Sequence, residues 1–247
     1  MTIDHSRLDG RIAIVTGGTQ GLGATIARLF AERGVNGLVI CGRNEQKGKA
    51  KADEIAAATG AKVVYVKADL EQVDDAKNVV HVCDQTFGRV DALVNAAAIT
   101  DRGTILDTSP ELFDAMFAVN VRAPFFLIQE TVKVMRREKI EGTIVNIGSM
   151  SAKAGQPFIA AYCASKGALE TRRRTRPTRC CATASASTGS TSAGWHPRVR
   201  IAFSGSFTAH QPTGWKRRPS ASRSAASSIP RKWRAPAPIF PQRSRAS

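Results

Sequence analysis

The chain has 247 residues, a formal net charge of +16 and 43% hydrophobic side chains. That length suits one large α/β domain or two small ones, with enough residues to bury a substantial core. Met1 to Gly10 is polar and no apolar run reaches membrane-spanning length, so no leader and no membrane partner are expected, and the location is expected to be cytoplasmic.

The five cysteines (Cys41, Cys83, Cys163, Cys180, Cys181) lack metal-ligand spacing and are read as reduced thiols. The four histidines (His5, His81, His196, His210) form no cluster, so no metal site is expected. The charge is unevenly placed. Residues 1–170 hold 20 basic and 20 acidic side chains, whereas 171–247 hold 16 basic ones and no acid. The latter stretch also lacks Leu, Met, Asn and Tyr. Two compositions therefore meet just after Leu169, dividing the chain into 1–169 and a basic Arg/Ser/Ala/Pro-rich tail, 170–247.

In chain order, the first part alternates strand-like and helix-like segments. "RIAIVTGG" predicts a first strand and "GATIARLFAERG" an amphipathic helix; "GLVICGR" is the second strand and "EQKGKAKADEIAAATG" the second helix. "KVVYVKADL", "VDALVNAAA" and "GTIVNIGS" supply three more strands. Strands alternating with helices predict a parallel sheet with helices on both faces, and right-handed crossovers make it doubly wound.

Chemistry starts in the turn between the first strand and helix, "TGGTQGLG". Gly17, Gly21 and Gly23, with Thr19, Gln20 and Leu22 between them, let the backbone approach a pyrophosphate at a helix N-terminus. An ordinary glycine turn would look the same in isolation; the strand–turn–helix setting favours the nucleotide. Further on, Tyr162 and Lys166 stand four residues apart and share a helix face. A cation beside a phenol favours the phenolate, which makes a usable general acid/base. Ser149 follows the fifth strand, thirteen residues before Tyr162.

Taken in order, "TGGTQGLG", "LVNAAAI", Asn120 in "FAVNVRAPF", Ser149 and the Tyr162/Lys166 pair resemble the classical short-chain dehydrogenase/reductase family. The resemblance covers residues 8–169 and implies a Rossmann-type fold. It further implies that Tyr162 exchanges the proton with the substrate oxygen while hydride moves to or from a nicotinamide. Lys166 would hold the nicotinamide ribose and ease ionisation of Tyr162. Ser149 would hydrogen-bond the reacting oxygen, and Asn120 would anchor a relay water. Asp69 and Leu70 in "KADL" match the positions that meet the adenine. Asn95, Ala96, Ala97 and Ala98 stand where the family has Asn-Asn-Ala-Gly, from which Ala96 and Ala98 depart. At the end of the second strand an acid would bind the ribose hydroxyls of NAD; here Gly42 takes that place and Arg43 follows, which favours NADP. The implied partner is a small alcohol, sugar, polyol or ketone, and the implied assembly a homo-tetramer or homo-dimer.

The tail admits three readings: a disordered basic extension, an arm for nucleic acid or another polyanion on a non-enzymatic nucleotide binder, or an out-of-frame reading of the family's C-terminal part. The third is favoured. Shifting the frame by one base permits "LLRNRIRVNGLNIGWM" from Arg179 to Trp195 and "FGRLIDPEEVARA" from Arg223 to Pro236, which have the pattern of a helix end, a strand and another helix. On this reading the sixth and seventh strands are missing from the chain as it stands. The outer edge of the fifth strand would then be unpaired, and the protein poorly soluble.

Overall fold

A computed structural model describes residues 7–171 and the strand Arg200–Ser204. All of these fall in one structural unit, Met1–Thr208; a second unit, Ala209–Ser247, lies outside the described residues. Six strands form one parallel sheet: β1 (Ile12–Thr16), β2 (Gly37–Gly42), β3 (Lys62–Lys67), β4 (Ala92–Asn95), β5 (Thr143–Ile147) and β6 (Arg200–Ser204). Their order is β3-β2-β1-β4-β5-β6. Helices α1 (Gly21–Glu32), α2 (Glu45–Thr59), α3 (Val73–Phe87), α4 (Pro110–Phe117), α5 (Ala123–Arg137) and α6 (Ala160–Thr171) complete the set. This is the expected doubly wound α/β fold.

The sheet is buried on both faces, which is why β1 reads as an unbroken apolar run, Ile-Ala-Ile-Val, with every residue buried. Ile12, Ile14, Val39, Leu93 and Ile144 point to the face covered by α3 and α5. Ala13, Val15, Leu38, Ile40 and Val94 point to the other, covered by α1 and α2. The strand order reverses between β1 and β4, so a crevice opens beyond their C-terminal ends.

The sixth strand corrects the sequence reading. Arg200–Ser204 pairs in parallel with β5, from Thr143 opposite Arg200 to Ile147 opposite Ser204. "RIAFS" places Ile201 and Phe203 two apart, a period that suits a strand, but it is a short signal inside 77 residues of mixed composition. The backbone groups along the outer edge of β5 demand partners, and this segment supplies them. Whether the seventh strand is missing, as the sequence reading has it, bears on residues that lie, with the rest of the tail, outside the described ones.

At the opposite end of the sheet, one buried carboxylate joins β1 to the start of β4. Asp91 accepts from Ile12 N at 2.9 Å, from Arg11 at 3.0 Å and from Arg89 at 2.9 and 2.7 Å. Burial alone would raise its pKa, but the bonds from Arg89, Ile12 and Arg11 outweigh it and hold the carboxyl below its ordinary 3.8. Asp91→Ala leaves the buried Ile12 N–H unpaired, while both guanidiniums, half exposed, regain water. The expected loss is ~1–3 kcal/mol at pH 7 in urea unfolding. A carboxyl with a depressed folded pKa contributes stability above its unfolded value and loses it as pH falls through the folded one. The gap between wild type and variant should therefore close only below pH 3.8; a gap that is constant with pH would contradict the assignment.

Candidate active site

Thr16, the last residue of β1, was not singled out by the sequence, yet it sets the crevice. Its buried hydroxyl accepts from Ala96 N at 3.1 Å and Ala97 N at 3.2 Å, tying the glycine turn to the loop after β4. Gly17 has φ +66°, and a Cβ there would come within 2.9 Å of the Ala97 Cα. A Cβ on Gly23 would collide with the Gly17 carbonyl. Gly21 also has a positive φ, +54°, but open space beside it. The three glycines thus serve conformation or close approach.

Helix α1 starts at Gly21 with no side-chain cap from Gln20 and no acid in its first turn. By helix geometry the N–H groups of Gly21, Leu22 and Gly23 have no carbonyl one turn back, so they are available to an anion. Thr19 lies half-buried on the rim, where a Cβ on Gly42 would come within 2.9 Å of its side chain. The Gly42 carbonyl is turned towards β3, accepting from Tyr65 at 2.7 Å and Ala68 N at 3.1 Å. Arg43 is exposed, and among the described residues no hydrogen bond or ion pair holds it. Beyond β3, Asp69 accepts from Glu71 N at 3.1 Å and Leu70 is buried.

The loop after β4 starts from a buried amide pair. Asn95 Nδ2 donates to Asn146 Oδ1 at 2.8 Å, while Asn95 Oδ1 and Asn146 Nδ2 find no partner among the described residues. Asn95 is buried and joins β4 to β5 through this bond. Ala98 is exposed, so its extra methyl is accommodated without a clash.

Tyr162, Lys166 and Asn120 converge. Lys166 is only 3% exposed; its Nζ donates to Ile147 O at 2.9 Å and stands 5.7 Å from the Tyr162 ring centroid. Asn120 lies in a π-helical turn, Ala118–Arg122, between α4 and α5. Pro124, four residues on, has no N–H to give the Asn120 carbonyl in α-helical register, which accounts for the wider turn there. The Asn120 side chain accepts from Ile99 N at 3.0 Å and donates to Ile99 O at 3.0 Å and to Ser165 Oγ at 3.1 Å. Ser165 Oγ in turn donates to Tyr162 O at 2.8 Å. Ser165, missed by sequence reasoning, thus links Asn120 to the tyrosine helix. Ser149 opens a 3-10 turn, Met150–Ala152, that packs against α6. Its hydroxyl accepts from Ser151 N at 3.2 Å, and no hydrogen bond joins it to Tyr162.

These features fit a dinucleotide: a glycine cradle that a Cβ on Gly17 or Gly23 would fill, uncapped N–H groups at the α1 N-terminus, and a tyrosine–lysine pair on the same sheet edge. Fold and site together define a doubly wound nucleotide-binding domain with a Tyr/Lys/Asn centre. A family model described as short chain dehydrogenase matches residues 11–176, and the chain belongs to that family. An uncharacterized oxidoreductase of Thermotoga maritima is 38% identical over 160 residues, 65% of this chain and 62% of its own. Versicolorin reductase 1 of Dothistroma septosporum is 34% identical over 172 residues, 69% of this chain and 64% of its own. The match thus spans less than two thirds of either relative. A crystal structure of a metagenomic short-chain oxidoreductase in complex with NADP superposes with a TM-score of 0.64 at 34% identity, covering 68% of this chain and 75% of the other.

Burial pushes the Lys166 pKa down from 10.5 to about 8. The folded chain then binds that proton less tightly than the unfolded one, so stability should rise between pH 8 and 10.5. The gain is at most ~3 kcal/mol. Lys166→Met should lack it: in denaturant unfolding, wild type should gain on the variant over this range. Parallel pH profiles would contradict the buried, solvent-starved ammonium.

Proposed function

We propose that residues 1–169 are the catalytic part of an NAD(P)-dependent oxidoreductase that interconverts a secondary alcohol and a ketone or aldehyde. The observation that carries this reading is the buried Lys166 ammonium held beside Tyr162, on a helix locked to Asn120 through Ser165. Bound dinucleotide supplies or accepts the hydride. Tyr162 gives its phenolic proton to the substrate oxygen, or takes one from it. Lys166 spends one N–H on Ile147 O and keeps two, enough for a ribose hydroxyl and for electrostatic support of the phenolate. Ser149 accepts from Ser151 N, so its own O–H proton is available to the substrate oxygen. Asn120 has its whole side chain committed to protein; a relay water would rest on its main-chain carbonyl.

NADP is the preferred cofactor and NAD the alternative, because Gly42 brings no carboxylate and Arg43 is exposed beside it. The NADP-bound structural relative supports this preference. The substrate class stays a small alcohol, sugar, polyol or ketone. A homo-dimer or homo-tetramer is supported by Phe113 and Phe125, exposed on α4 and α5. Residues 170–247 are proposed to be the frame-shifted remainder of the same domain, within which Arg200–Ser204 pairs with β5 through its alternating apolar pattern and not as the strand the restored frame would supply. The family match ending at residue 176 supports that, as does the acid-free composition beyond residue 170. The nucleic-acid alternative rests wholly on the tail.

Three outcomes test the proposal. Tyr162→Phe, in frame-restored protein, should cut turnover at least ~10²-fold without loss of cofactor binding; near-normal turnover would remove Tyr162 from the chemistry. Gly42→Asp should lower the NADPH-over-NADH ratio of kcat/KM roughly tenfold by repelling a 2′-phosphate. Gly42→Ala, which displaces Thr19 without adding charge, should leave the ratio unchanged. A parent enzyme that prefers NADH would refute the cofactor assignment. Expressed side by side, the frame-restored gene should give nicotinamide-dependent turnover and the present chain essentially none, although its cofactor cradle is complete; equal activity would exclude the frame shift.

A further inference from the structure

Seven large apolar side chains are exposed among the described residues, and four of them gather on two loops beside the candidate site: Ile105, Leu106, Met150 and Phe158. Met150, 48% exposed, directly follows Ser149; Phe158, 46% exposed, lies four residues before Tyr162. Ile105 and Leu106 are 88% and 93% exposed, on the loop that follows β4. The two loops are joined next to α6. Gly103 bridges Ile159, Gly103 N donates to Phe158 O at 3.1 Å, and Ala160 N donates to Gly103 O at 2.9 Å.

The turn that displays Ile105 and Leu106 is held by its own polar residues. Thr104 donates to Asp107 Oδ1 through its N–H at 2.5 Å and its hydroxyl at 2.8 Å. Leu106 N donates to Thr104 Oγ1 at 3.1 Å, and Thr108 Oγ1 to Thr104 O at 2.5 Å. Polar side chains close the turn inward and leave the apolar pair facing water. Most charges nearby are already engaged: Asp107 on Thr104, Arg102 over the Phe158 ring at 5.7 Å, and Lys153 with Glu170 at 3.8 Å. Asp101 is the exposed acid that remains. A rim of this composition offers contact area to apolar surface and few hydrogen bonds to a string of hydroxyls.

We infer that the substrate carries an apolar body, an aromatic or alicyclic ring system next to its reacting oxygen. Met150 and Phe158 receive the ring near the reacting centre, and the Ile105–Leu106 tip covers its far side. This narrows the substrate away from sugars and polyols, and it rests on Ser149 and Tyr162 being the reacting pair.

The test is equilibrium binding of 2-naphthol, followed by its own fluorescence, to the full 247-residue chain in the presence of NADPH. Saturable binding is expected. It should weaken about tenfold or more in Met150→Ser/Phe158→Ser and in Ile105→Ser/Leu106→Ser, with galactitol failing to displace it. No saturable binding, galactitol displacing the probe equally well, or serine variants binding like wild type would overturn the inference. So would serine variants that lower the oligomeric mass while naphthol affinity stays intact, since the patch would then belong to a second copy. Naphthol binding by the 247-residue chain together with no carbonyl reduction by the frame-restored protein would instead count against the oxidoreductase reading alone.

Discussion

One buried amide holds together the half of this unit that carries Tyr162 and Lys166. Asn120 faces Ile99 with both its donor and its acceptor, and spends a second N–H on Ser165. Those bonds fasten three pieces of chain that are remote in sequence: the loop after β4, the π-turn between α4 and α5, and the helix that carries Tyr162 and Lys166. Each partner is buried or half-buried, so water offers no substitute and the geometry is fixed. The spacing of tyrosine and lysine is a property of α6 alone. Where that pair stands relative to the sheet edge is a property of Asn120.

A second junction does the same for the nucleotide half. The Thr16 hydroxyl gathers two backbone N–H groups at the point where strand order reverses, and the Gly17–Ala97 approach leaves no room for a side chain between the loops. Two hydrogen-bonded hubs, one on each side of β4, thus shape a single crevice. Lys166 is the exception to good solvation: its ammonium has one protein acceptor among the described residues and is otherwise enclosed. An enclosed cation with spare donors is costly to fold around, which is expected where binding or chemistry is the return.

How much of this was legible depended on the range over which each signal acts. Five strands could be read because a buried parallel strand is a run of apolar residues. Gly17 and Gly23 could be read because only glycine fits where a backbone passes closely, and Tyr162 with Lys166 because helical spacing is local. The partners of Asn120 could not, since Ile99 and Ser165 lie 21 and 45 residues away. The π-turn did leave a trace in Pro124. Thr16 hid in a motif read for its glycines, and the bond from the Asn95 side chain to Asn146, 51 residues away, left no local trace. The strand at Arg200–Ser204 was lost by judging 77 residues on their average composition. It is a five-residue signal that becomes meaningful only once β5 is known to have an open edge.

A glycine cradle forms at the start of α1 because Gly23 lets the helix begin against the Gly17 carbonyl. The direct measurement is a fluorescence titration of the 247-residue chain and its Gly23→Ala variant with NADPH, with circular dichroism to establish that both are folded. Saturable enhancement in the wild type that disappears in a folded Gly23→Ala protein is the predicted result. No binding to the wild type, or equal binding to a folded variant, would contradict it.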